Sequence, residues 1–180
     1  MRTLLRDILV TLVVALIIFF LLRATIQTSV VITGSMEPTL QIGQRLLINK
    51  VSYKFHEPEA GDIVTFNLPD NPKATLIKRI IGLPGDIVEV KMGAVYVNGS
   101  PLDEPYIKDP PTYIFHEYEI PENNYFVLGD NRNNSGDSHT GWTVPRQSII
   151  GKAWITIWPP GRWGLVANPL QEQLASAASE

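Results

Sequence analysis

Large apolar side chains occupy nearly every position from Ile8 to Leu22. Further on they fall into short β-branched runs separated by Gly, Pro, Asn and Asp. The first pattern has no polar face, unlike the one-sided stripe of an amphipathic surface helix. It therefore describes a membrane span or a helix buried all round. As a helix the run reaches roughly 22 Å, short of a hydrocarbon core of about 30 Å. Leu4 and Leu5 before it and Ala24 to Ile26 after it lengthen the stretch, and Arg6 and Arg23 are placed to snorkel to the two interfaces. A cleaved export signal also begins with charges such as Arg2 and Arg6, but it needs a small-residue site after the apolar run. Here Arg23-Ala24-Thr25-Ile26-Gln27 follows. The reading is an uncleaved transmembrane anchor over 8–26. The positive-inside rule places residues 1–7 in the cytoplasm and the rest of the chain outside.

Past the anchor, the periodicity and the turn residues predict strands. Ser29–Ile32, Gln44–Val51, Asp62–Leu68 and Thr75–Ile81 come first, the last ended by Gly82-Leu83-Pro84-Gly85. Asp86–Lys91 and Ala94–Val97 make a hairpin around Met92-Gly93, and Asn98-Gly99 marks another tight turn. Tyr125–Leu128 is an apolar strand running into Gly129-Asp130, and Ile149–Trp158 is the last. Residues 99–123 are Pro-rich and polar and read as an extended insertion or long loop. Residues 167–180 are small and polar and read as a flexible tail, in which Ala175 and Ala177 have A-x-A spacing. No helical period is sustained beyond residue 30. The expected fold class is mostly β: one N-terminal transmembrane helix, then a single, mainly antiparallel β-sheet domain over 27–166.

Composition narrows the chemistry. A formal net charge of −3 gives no basic field for nucleic acid. With no cysteine there is no disulfide framework and no thiolate nucleophile. No metal and no cofactor are expected. The segment Asn131–Trp142 resembles a calcium loop at Asn133, Ser135 and Gly136, but Trp142 stands where the bidentate glutamate belongs.

Two positions invite nucleophilic catalysis. Ser35 sits in Thr33-Gly34-Ser35-Met36-Glu37-Pro38, a loop just after the anchor, without the G-x-S-x-G elbow of many hydrolases. Read plainly, it is a turn residue. To act as a nucleophile it needs a base. His56 and His116 lie in polar, glutamate-containing loops, and His139 in the polar loop after Leu128. Lys78 is the unusual candidate, set between Thr75-Leu76-Ile77 and Ile80-Ile81. On an exposed strand face it is an ordinary surface lysine. Turned inward, it is desolvated, its pKa falls, and it becomes a neutral amine that accepts a proton. Arg79 would then face the other way, available to a carboxylate.

The chain resembles bacterial type I signal peptidases over the anchor and nearly all of residues 29–158. Four motifs in order carry the resemblance. They are Gly34-Ser35-Met36-x-Pro38-Thr39-Leu40, Gly61-Asp62-Ile63-Val64-x-Phe66, Ile77-Lys78-Arg79-Ile80-Ile81-Gly82-Leu83-Pro84-Gly85-Asp86, and Gly129-Asp130-Asn131-Arg132-x-Asn134-Ser135-x-Asp137-Ser138. The resemblance implies a membrane-bound serine endopeptidase that removes N-terminal signal peptides from secretory preproteins, cutting after small residues (A-x-A). It implies Ser35 as nucleophile and Lys78 as general base. The Ser35 N–H and the Thr33 hydroxyl would form the oxyanion hole. Ser135 would hold the amine, and Asp137 would pair with Arg79. Val31, Met36, Leu40, Leu46 and Ile77 would line the substrate pocket. The implied partners are preproteins and a lipid bilayer, in a plasma or thylakoid membrane. The stretch Lys152–Trp163 looks most like cyanobacterial and plastid members. One departure is His139-Thr140-Gly141-Trp142, where the family usually has a basic residue, one more, an aromatic and then Gly. A histidine at 139 makes any pairing with Asp137 pH-dependent.

Two other readings compete. A self-cleaving Ser/Lys domain of the stress-response repressor type predicts a DNA-binding or cytosolic N-terminus, against which the apolar anchor speaks. A non-catalytic, membrane-tethered β scaffold leaves Lys78 in its apolar strand unexplained.

Overall fold

The computed structural model describes residues 2–68, 71–166 and 168–170. The apolar run is one helix, α1 (Arg2–Thr25), uninterrupted by Gly or Pro. It ends where Thr25 turns its hydroxyl back to the carbonyls of Leu21 and Leu22 and the strand β1 (Ile26–Val30) begins. Leu4–Thr25 is long and apolar enough to cross a membrane by length and composition, and none of it is buried against the rest of the chain. Its 22 residues span about 33 Å, so the helix is longer than the central apolar run suggests.

Eight strands make the larger sheet. After β1 come β2 (Arg45–Asn49), β3 (Ile63–Leu68) and β4 (Asn71–Gly82). A short helix, α2 (Ser52–Phe55), links β2 to β3. The smaller sheet holds β5 (Ile87–Lys91), β6 (Ala94–Val97), β7 (Ser100–Pro101) and β8 (Phe115–Glu119). The chain then returns to the larger sheet through β9 (Asn124–Leu128), β10 (Val144–Pro145), β11 (Ile149–Trp158) and β12 (Gly164–Leu165). The larger sheet runs β1-β2-β11-β3-β4-β9-β10, with β12 beside β11, and the smaller one β7-β6-β5-β8. The described strand pairs are antiparallel, so the expected fold class holds.

The hairpin turns have a local cause. Met92 and Gly93 sit at φ +51° and +77°, and Asn98 and Gly99 at +52° and +80°, the paired positive values that a tight two-residue turn requires. The expected strands at Asp62–Leu68, Thr75–Ile81, Tyr125–Leu128 and Ile149–Trp158 all form. The stretch 99–123 differs from the expectation of a loop, because β7 and β8 lie inside it. The side chains of β8 are mostly exposed and polar, and its pairing with β5 comes from the rest of the sheet.

Three apolar clusters support this frame. One lies between the sheets, around Ile81, Val88, Ile120, Phe126 and Leu128. A second contains Val31, Met36, Leu40, Leu46, Ile48 and Ile63. The third holds Val64, Phe66, Ile80, Val127 and Val144. Strand β4 contributes to all three, which fixes the height and tilt of the segment carrying Lys78. The boundary expected at 166/167 moves. Leu170 is buried in the cluster between the sheets, and Asn168 donates to Asp62. The rest of the expected tail, with Ala175 and Ala177, lies outside the described residues.

Candidate active site

Ser35 sits in a single 3-10 turn, Gly34–Met36, that leaves β1 and leads toward β2. Met36 and Leu40, both fully buried, pin this turn to the apolar cluster beneath it. The loop after β9 clamps it from the other side. Asn131 donates its backbone N–H to the Ser35 carbonyl at 3.0 Å and its side-chain amide to the Gly34 carbonyl at 3.0 Å. Gly129 makes this approach possible. A Cβ there would strike the Ser35 carbonyl oxygen and the Ser135 hydroxyl.

Lys78 lies in the middle of β4, opposite Val64 of β3. Only 3% of it is exposed, and its Nζ donates to the Ser35 Oγ at 2.6 Å. Sequence positions forty-three apart thus meet in a direct hydrogen bond. No ion pair to Lys78 forms among the described residues. Burial lowers its pKa from the usual lysine range, while the charges of Asp137 and Asp130 oppose that fall. Burial is the largest influence, because an ammonium without water loses more than two carboxylates not in contact with it restore.

Side chains alternate along a strand, so Arg79 points away from Lys78. It is fully buried and forks onto Asp130, Nε to Oδ1 at 2.9 Å and Nη2 to Oδ2 at 2.8 Å, and also donates to the Gly61 carbonyl. Here an expectation is corrected, since the carboxylate that pairs with Arg79 is Asp130 and not Asp137. The loop leaves β9 with Asp130 against the Arg79 fork, while Asp137 is carried to the other side. There its Oδ2 accepts from the Gly129 N–H at 2.8 Å and its Oδ1 lies 2.6 Å from the His139 Nδ1. Thr39 donates to Asp130 too, which ties the segment after Ser35 to the same carboxylate.

The remaining expected residues divide. The Thr33 hydroxyl lies 3.4 Å from the Ser35 Oγ. Val31, Met36, Leu40, Leu46 and Ile77 all join the one cluster under the Ser35 turn. The Ser135 hydroxyl is buried beside Gly129 and makes no hydrogen bond among the described residues, so the expected contact with the lysine amine does not form. A cavity of about 420 Å³ is lined by Thr39, Leu40, Gln44, Arg79, Thr156 and Trp163 among others, so it reaches one expected pocket residue, Leu40, but not Ser35 or Lys78.

Sequence reasoning missed the residues that brace the site from the stretch read as a loop. Arg132 and Glu104 form a buried two-pronged pair at 2.8 and 2.6 Å, and the Tyr106 hydroxyl donates to the same carboxylate. The Tyr106 ring lies 4.0 Å from the Arg79 guanidinium. No local pattern announces such partners, since Glu104 and Tyr106 stand in an aperiodic Pro-rich stretch. Asp130 and Asn131 were more accessible to inference, as polar residues directly after a fully apolar strand.

Comparison with known proteins bears on this geometry. The family model described as "Signal peptidase, peptidase S26" matches residues 5–158. The probable signal peptidase I-2 of Synechocystis is 51% identical over 146 residues, covering 78% of this chain and 67% of that one. Signal peptidase IB of Staphylococcus aureus is 35% identical over 179 residues, covering 89% and 93% respectively. The chloroplastic thylakoidal processing peptidase 1 of Arabidopsis thaliana is 38% identical over 138 residues, covering 71% of this chain and 41% of that longer one.

Proposed function

Because this chain belongs to the signal peptidase family, peptidase S26, and so is a serine peptidase of the signal peptidase I kind, we propose that Ser35 is its nucleophile and Lys78 its general base. The observation that carries the reading is the 2.6 Å bond between a serine hydroxyl and a buried lysine that has no ion-pair partner among the described residues. A neutral amine takes the hydroxyl proton as Ser35 Oγ attacks the scissile carbonyl. The Ser35 N–H and the Thr33 hydroxyl receive the charge that develops on the carbonyl oxygen. The proton on Lys78 then passes to the leaving amine as the peptide bond breaks, leaving an ester on Ser35. Water, deprotonated by the same amine, hydrolyses that ester and frees the enzyme.

The substrates in this reading are exported preproteins, cut after A-x-A. The apolar cluster under the turn is already filled by Val31, Met36, Leu40 and Leu46. In this reading the preference for small residues belongs to the surface these side chains form beside Ser35. The enzyme is held in a plasma or thylakoid membrane by α1, with the β domain outside. Two observations support the membrane attachment, and the orientation follows from Arg2 and Arg6 at the start of the helix. The helix is exposed along its length, and Val30, Arg45 and Trp158 lie in register on adjacent strands that follow it, all exposed. Tryptophan and arginine suit the headgroup region.

The test is incubation of the purified full-length enzyme with a preprotein. Cleavage on the C-terminal side of an A-x-A sequence is expected, untouched by chelator and abolished by Ser35→Ala. Binding without cleavage, or cleavage that persists in Ser35→Ala, overturns the reading.

A further inference from the structure

Two buried carboxylates, Asp130 and Asp137, bear on Lys78, and they differ in what neutralises them. Asp130 is held by the guanidinium of Arg79, a cation at every accessible pH. Among the described residues, the ionic partner of Asp137 is His139, at 2.6 Å. An imidazole changes charge between about pH 5 and 8. We propose that the charge on His139 controls, through Asp137, the pH at which Lys78 activates Ser35. His139 is then a positioning residue that touches neither substrate nor nucleophile. The inference rests on the Ser35/Lys78 reading.

From Asp137 to the Ser35 turn the contacts run through buried atoms. Asp137 is wholly inaccessible, and its second oxygen accepts from the Gly129 N–H. Gly129 is the residue packed against the Ser35 carbonyl. His139 is partly exposed to solvent, while its partner is shut off from it. The Tyr113 ring stacks on the imidazole, centroids 4.2 Å apart and planes 21° from parallel. Burial raises the Tyr113 pKa, so that phenol stays neutral beside it. The charges that face Tyr113 in turn, Arg132 and Glu104, are paired with each other.

The sign follows from Coulomb attraction. With His139 neutral, Asp137 presents a full negative charge and helps Lys78 keep its proton. With a cation at position 139 that charge is offset, and Lys78 releases its proton at lower pH. A permanent cation and a neutral hydrogen-bond donor at 139 must therefore move the enzyme in opposite directions. A purely structural role for His139 would lower activity without that ordered displacement.

The experiment measures kcat/KM against pH for detergent-solubilised, full-length wild type, His139→Arg and His139→Asn, with a preprotein substrate. The alkaline-rising limb of His139→Arg is expected to lie about half a pH unit or more below that of His139→Asn, with wild type between or coincident with one of them. Thermal unfolding of all three accompanies the profiles. A ¹³C-lysine NMR titration of Lys78 in the Ser35→Ala background should show the same order without relying on activity. Limbs and NMR titrations that coincide, or a reversed order, overturn the role of His139 while leaving the dyad intact. A wild-type limb that survives Lys78→Ala overturns the dyad itself.

Discussion

A lysine in water keeps its proton to about pH 10.4, which makes it useless as a base near neutrality. At position 78 burial removes the water that stabilises the ammonium, and the serine hydroxyl takes its place as hydrogen-bond partner. Two outcomes follow for one side chain. Ser35→Ala and Lys78→Ala should each lower kcat/KM by a factor on the order of a thousand or more, with the double variant little worse than either, because the pair acts as a unit. Lys78→Arg should fail as well, since a guanidinium does not give up its proton. Stability should move the other way. The folded-state pKa of Lys78 is depressed, so between that value and the ordinary lysine value the unfolded chain binds more protons, and stability rises with pH across that window. Below the window the cost of burying the charge is fully present. Lys78→Met should therefore be inactive yet unfold a few degrees higher at pH 7, with the gain shrinking as pH rises through the lysine range. Calorimetry at two pH values checks this, and a lower midpoint for Lys78→Met at pH 7 would mean the lysine stabilises the fold.

At the scale of elements, the strands place the chemistry and the irregular segments hold it there. Strand β4 is fixed between β3 and β9, so Lys78 and Arg79 project to opposite sides by pleat alone. The turn that carries Ser35 has no such sheet around it. Its support is the loop after β9, and that loop is tied in turn to the segment between β7 and β8. Lys108 donates its N–H to the Asp130 carbonyl, Thr112 bonds Asn133, and Arg132 pairs with Glu104. Both charged groups of that last pair are almost wholly inaccessible. Removing one member of a buried pair strands the other, so Glu104→Ala should cost about 3–5 kcal/mol in urea unfolding. Replacing both, as Glu104→Leu with Arg132→Met, should recover most of that loss. A double variant no more stable than Glu104→Ala alone would show that the cost comes from the packing of the segment and not from an unpaired charge.

For the whole molecule, the contrast is between a helix that makes almost no tertiary contact and a β domain with a complete interior. The apolar clusters are made without α1, so the helix is not part of the core, and the proposed role of a membrane tether has consequences that can be measured. The full chain should stay with membranes in alkaline carbonate. A variant lacking residues 2–25 should be extracted and keep a β-rich circular dichroism spectrum. Protease added outside sealed spheroplasts should cut within residues 60–160. Protection of that region would reverse the proposed orientation, and loss of β structure on deletion would make α1 part of the fold.

What the residues alone determined was whatever depends on near neighbours in the chain. The long apolar helix follows from an apolar run without a polar face, the strands from periodicity and turn residues, and the Met92-Gly93 and Asn98-Gly99 turns from local backbone preference. Ser35 and Lys78 stood out because each is chemically odd in its own surroundings. Tertiary structure decided everything that depends on who meets whom across the fold. Nothing in the spacing distinguishes Asp130 from Asp137 as the partner of Arg79, since both lie in one polar loop and the choice is made by which way that loop leaves β9. Strand β8 and Leu170 were illegible for a similar reason. Their own side chains give no period, and they are ordered by surfaces that distant segments bring to them. The burial of Lys78 belongs here too. A strand offers a lysine two faces, and only packing of the sheets and the Ser35 turn around β4 decides that this one faces a serine and not water.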